Sequence, residues 1–177
     1  HGEIFMFGAF AGLVLATKFN INIFLAMAGA MAVGALLGYL MERLALRPLR
    51  RRASFHLAPL ISTIGVAIFL ESLALRLFGP QVQSYPPIFA GGMLDFGAFK
   101  ISFVQIMILT ISFGLMIVLR FWLAKTRLGK SIRTTAENIE TAGLLRINTG
   151  KIIVLTVMLA SGLGAVAGVL VGLAFNA

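Results

Sequence analysis

The chain alternates long apolar runs with short charged ones, and the lengths of the runs set the architecture. A helix crossing about 30 Å of hydrocarbon needs roughly 20 apolar residues. Four runs meet that length: Ile21–Met41, Leu57–Gly79, Ile101–Ala124 and Ile152–Phe175. A shorter run, Ile4–Thr17, reads as a partial span completed by residues ahead of His1. The expectation is an all-α, polytopic helical membrane protein of about five transmembrane helices, the first partial. It forms one transmembrane domain over residues 1–177, an internal fragment of a longer chain. Between the last two runs, residues Leu128–Lys151 form a stretch too long for a plain connector. Within it Ile132, Ala136, Ile139 and Gly143 recur at i, i+4, i+7 and i+11, which predicts an amphipathic helix with one face for a partner protein or lipid headgroups.

Inside the apolar runs, small residues recur every four positions: Ala26, Ala30, Gly34 and Gly38, then Ala160, Gly164, Gly168 and Gly172. In lipid the hydrophobic effect gives helices little reason to associate, and close backbone approach over small residues supplies dispersion contact instead. Both stripes are read as packing seams rather than pore linings. Glu71 is the unusual polar residue, because an ionisable group inside an apolar span costs at least about 2.5–3.5 kcal/mol on insertion scales. It should face protein or water. With Ser62, Thr63 and Ser72 it is a candidate wall of a translocation path; the alternative is a hydrogen-bonded structural carboxyl. Arg76, five positions on, is read as snorkelling outward.

Composition agrees with a membrane protein. The chain is 59% hydrophobic and 12% charged, with a mean hydropathy of +0.99, too little polar surface for a water-soluble domain. The net charge of +9 is gathered in two segments. Arg43, Arg47, Arg50, Arg51 and Arg52 follow the run Ile21–Met41, and Lys125, Arg127, Lys130, Arg133, Arg146 and Lys151 follow the run Ile101–Ala124. The other connections carry Lys18 and Lys100. Short cytoplasmic loops accumulate Lys and Arg, so Arg43–Arg52 and Lys125–Lys151 are read as cytoplasmic and Gln81–Phe99 as external. Tyr85-Pro-Pro-Ile and Ala90-Gly-Gly-Met make the external loop turn and breaker chemistry. Bases beside apolar spans meet anionic headgroups, not nucleic acid.

Catalytic chemistry is not legible. Gly129-Lys130-Ser131 imitates the end of a phosphate-binding loop, but the pattern's first glycine falls on Ala124, behind a membrane run rather than a strand. His1 and His56 have no metal-ligand spacing, Asp95 is the only aspartate, and there are no cysteines. No nucleophile, base and acid set is evident, and no signal peptide. No catalytic residue, resident metal or cofactor is assigned to this chain.

Four blocks resemble a known family, in its order: His1-Gly-Glu-Ile-Phe-Met-Phe-Gly-Ala-Phe, Glu42-Arg-Leu-Ala-Leu-Arg-Pro-Leu-Arg, Leu60-Ile-Ser-Thr-Ile-Gly-Val-Ala-Ile-Phe, and Ala136-Glu-Asn followed by Thr141-Ala-Gly-Leu-Leu-Arg-Ile-Asn-Thr. They are similar to the permease subunit of bacterial branched-chain amino acid ABC transporters. The resemblance implies an inner (plasma) membrane importer subunit that carries neutral amino acids, driven by ATP bound on separate ATP-binding subunits. It also implies a second homologous permease subunit, an extracytoplasmic substrate-binding protein and contact with membrane lipid. The coupling positions it implies are Ala136, Glu137, Ala142, Gly143, Leu144, Leu145, Ile147 and Asn148. Arg146 stands where the family has glycine; glycine there would suit a left-handed turn, which costs another residue about 1–2 kcal/mol. Urea or short amides as cargo, and a non-transporting scaffold, are the alternative readings. Glu137 and Glu140 speak against a loop that merely sits on anionic lipid.

Overall fold

The computed structural model describes residues 2–18, 22–46, 58–81, 85, 93–95, 100–144 and 148–175. Its helices are α1 (Gly2–Lys18), α2 (Ile23–Met41), α3 (Ala58–Phe78), α4 (Phe103–Lys125), α5 (Arg127–Glu137), α6 (Ile139–Leu144) and α7 (Thr149–Ala174). A one-turn π-helix, Glu42–Leu46, continues α2 without a break. Four of these are long and apolar enough to cross a membrane: Ile23–Leu46, Ile61–Phe78, Phe103–Lys125 and Thr149–Ala174. They match the four full-length runs, and α1 occupies the shorter one. The class is all-α. The exception among the described residues lies in the stretch read as turns, where β1 (Met93–Asp95) pairs antiparallel with β2 (Lys100–Ser102).

The contacts divide the chain into two units: residues 1–86 with 157–172, and residues 87–156 with 173–177. In the first, the α2 stripe is a packing seam as expected. Ala26 and Ala30 have no exposed surface, and Gly34 and Gly38 are buried. A Cβ at Gly34 would overlap Ala165, and one at Gly38 would overlap Ser161. The row facing α2 is Val157, Ser161 and Ala165, one position on from the expected α7 stripe of Ala160, Gly164, Gly168 and Gly172. Ala160 is exposed, and a Cβ at Gly164 would meet nothing within 4 Å. One residue is about 100° of helix, and on that row the Ser161 and Ala165 side chains fill the space that Gly34 and Gly38 leave open. The other half of the stripe stands: a Cβ at Gly168 would run into the Phe5 carbonyl of α1, and one at Gly172 into the Tyr85 ring.

α3 packs its Leu70 and Ala74 against Phe7 of α1. Phe78 stacks on Phe10 at 4.3 Å between ring centres and meets Phe7 edge-on at 6.5 Å. Gly79 then takes φ +77°, which only glycine adopts without cost, and Pro80 cannot extend the helix.

Tyr85 returns the chain from this stop into the first unit. Its ring is 5% exposed against Gly172, and its Oη donates a 2.6 Å hydrogen bond to the Ala9 carbonyl of α1. Burial pushes the phenol up to about 12, and a backbone hydrogen bond with Leu13 partly offsets this. A neutral hydroxyl therefore sits at the Ala9–Leu13 turn of the α1 backbone. Tyr85→Phe should cost about 1 kcal/mol for the lost hydrogen bond, and Tyr85→Ala about 3 kcal/mol or more for the emptied ring site. Thermal unfolding in detergent ranks the two, and equal midpoints for parent and Tyr85→Ala would show that the ring is not seated.

Candidate functional site

The second unit holds the segment read as a coupling element, and its geometry starts at Thr126. The Thr126 Oγ1 donates to the Trp122 carbonyl at 2.8 Å, ending α4, and accepts from the Gly129 N–H at 3.0 Å, capping α5. Gly129 lies so close to the end of α4 that a Cβ there would overlap the Leu123 backbone. The residue that imitates a phosphate-binding loop is thus a close-approach glycine, and the chain turns sharply over it.

The segment is not one helix. Asn138 is extended (φ −155°, ψ 116°), so the expected continuous face of Ile132, Ala136, Ile139 and Gly143 is cut between α5 and the six-residue α6. The Asn138 N–H still closes α5 on the Thr134 carbonyl at 3.1 Å, while its own carbonyl accepts from Ala142 at 3.1 Å. Asparagine favours such helix starts over helix interiors. Of the expected coupling positions, Ala136, Glu137, Gly143 and Leu144 are exposed and Ala142 is fully buried. Leu145 and Ile147 lie outside the described residues, as does Arg146 and its turn. Asn148 starts α7, its Oδ1 accepting from the Lys151 N–H at 3.3 Å. The exposed apolar side chains here are large: Ile139 is 59% and Leu144 86% exposed.

The proposed polar wall on α3 does not form one surface. At about 100° per residue, Ser62 and Glu71 fall on opposite sides of the helix. Thr63 and Ser62 are half-buried, whereas Glu71 and Ser72 are exposed. Glu71 therefore faces away from the helices of its own unit, among the exposed Ile64, Ile68 and Leu75. It lies about 10 Å along the helix from the Phe78 end. Thr63 lines a cavity of about 410 Å³ with Glu3, Met41, Leu46, Leu70 and Val157. Next to Met41 in the chain, Glu42 is 1% exposed and opens the π-turn. In sequence Glu42 stands only within the block Glu42-Arg-Leu-Ala-Leu-Arg-Pro-Leu-Arg. Its place four residues after Gly38, on the same buried row, was the available signal. Ser161, opposite Gly38, has a buried Oγ with no hydrogen-bond partner among the described residues.

Comparison with known proteins decides the family. The model of the branched-chain amino acid transport system permease component matches residues 1–177. The chain belongs to this family. It is 32% identical to the high-affinity branched-chain amino acid transport system permease protein BraD of Pseudomonas aeruginosa, over 99% of this chain and 61% of that protein. It is 33% identical to the LivH permease protein of Salmonella typhi, over 97% of this chain and 59% of that protein. A probable LivH permease of Methanocaldococcus jannaschii is 28% identical over 95% of this chain. The chain thus spans about three fifths of the curated relatives' length. No solved structure matches it. The family is one of transport permeases, and four membrane-length helices make the chain a multi-pass membrane protein.

Proposed function

We propose that this chain is the membrane-spanning part of an ABC importer subunit that carries branched-chain or other neutral amino acids inward. A separate ATP-binding subunit drives it through residues Ala136–Asn148. The observation that carries the coupling reading is the rigid mount of this segment. Thr126 and Gly129 fix α5 to the end of a membrane-length helix, and Asn148 fixes the start of the next. A pull on α5 is therefore passed directly to α4. Exposed Ile139 and Leu144 supply an apolar surface for the partner's groove, as such docking needs. The basic segments Arg43–Arg52 and Lys125–Lys151 support a cytoplasmic reading of both loops. Outside, a substrate-binding protein would deliver the amino acid.

Glu71 and Ser72 belong, in this reading, to the face that meets the second permease subunit and the path between the two. A carboxylate there faces protein or water more cheaply than lipid. In this reading the nucleotide is bound by the partner.

The test is Ala136→Glu in the full-length permease co-expressed with its ATP-binding subunit. A carboxylate forced into an apolar groove without a partner costs several kcal/mol. The ATP-binding subunit should no longer co-purify, while the permease inserts normally and a cysteine at Asn138 is labelled only from the cytoplasmic side. Unchanged co-purification, or labelling from outside, removes this segment from the mechanism.

A further inference from the structure

We propose that the ATP-binding subunit meets this chain with an acidic surface, seated on a basic row of α5 made by Arg127, Lys130 and Arg133. The inference rests on the docking reading above and adds the chemistry of the partner's side. The three bases recur at i, i+3 and i+6, within an arc of about 120° on the helix, and all three are exposed. None of their side chains makes an ion pair or hydrogen bond among the described residues. Lys125, by contrast, is occupied, its ammonium 4.2 Å over the Phe121 ring. Lys130 and Arg133 line an open groove of about 630 Å³ together with Thr134, Ala136 and Glu137. The row does not sit on a loose tether: the Thr126 cap and the Gly129 contact with Leu123 hold its start.

A fixed row of exposed cations selects anionic partners, steering their approach and setting register more than it adds affinity. Two anionic surfaces lie within reach of a helix at this position: phospholipid headgroups and an acidic protein face. Glu137 decides for protein. It lines the same groove as Lys130 and Arg133, and a headgroup layer would repel it. A protein can answer three bases with carboxylates and Glu137 with a base. The exposed Ala136 on the groove's edge leaves the partner's backbone room to approach.

The experiment measures the affinity of the purified ATP-binding subunit for the full-length permease in nanodiscs, at low and high salt. The expected result is an affinity that falls as salt rises. The pair Lys130→Glu with Arg133→Glu should weaken binding by at least about tenfold, because like charges then face each other. Lys130→Gln with Arg133→Gln should weaken it less and flatten the salt dependence. Salt-independent binding with the reversed pair at parental affinity overturns the inference. So does an effect of reversal that appears only in nanodiscs of anionic lipid and vanishes in neutral ones, which assigns the row to headgroups. Ala136→Glu separates this inference from its foundation. Binding lost in Ala136→Glu but kept in the reversed pair ends the acidic-surface inference and leaves docking intact. Binding kept in both ends the docking reading itself.

Discussion

Gly168→Ala should unseat α7 from α1, whereas Gly164→Ala, one turn earlier on the same helix, should leave the protein unchanged. The two glycines belong to one four-residue periodicity and are indistinguishable in sequence. A methyl at Gly168 has only backbone to meet, the Phe5 carbonyl and the Ala9 nitrogen, while one at Gly164 enters open space. Overpacking costs about 1–3 kcal/mol, and the upper end applies because backbone atoms cannot swing aside. Gly8→Ala, against the Ala165 backbone, should behave like Gly168→Ala. Thermal unfolding midpoints in detergent give the comparison. Equal midpoints for Gly164→Ala and Gly168→Ala would contradict the seating of α7 described above.

Gly129→Val should abolish the proposed link to the ATP-binding subunit without removing the permease from the membrane. A side chain at position 129 cannot coexist with the Leu123 backbone, so the turn between α4 and α5 must open and carry the whole segment away from its position. A branched side chain also disfavours the first helical turn less than it clashes here, so propensity offers no compensation. The expected readout is normal insertion with the ATP-binding subunit lost from the purified complex and transport reduced to background. Retention of the complex would mean that α5 docks without needing this turn.

These two cases also show where the sequence is readable. Span number and approximate limits follow from the length of apolar runs alone, since nothing else satisfies the backbone across a bilayer. The α2 seam was legible because every member of its row is small. The α7 seam was only half legible: Ser161, Ala165, Val157 and Val169 make the contacts with α1 and α2, and a row of mixed sizes leaves no periodic signature. The break at Asn138 was hidden because the apolar spacing of Ile132, Ala136 and Ile139 runs across it at helical period, and that spacing outweighed the preference of Asn138 for a helix start. The role of Gly129 was not legible, because a close approach between consecutive helices is a tertiary fact. The four α3 polar residues were grouped by nearness in sequence, and helical geometry separates them.

The most direct measurement of the central claim is ATP-dependent uptake of a labelled branched-chain amino acid. It uses proteoliposomes holding the full-length permease, its second permease subunit and the ATP-binding subunit, with the substrate-binding protein supplied on the opposite side. Uptake should require all four components, and Ala136→Glu should abolish it while the membrane proteins remain inserted. Uptake that persists in Ala136→Glu, or that runs without the ATP-binding subunit, would contradict the claim.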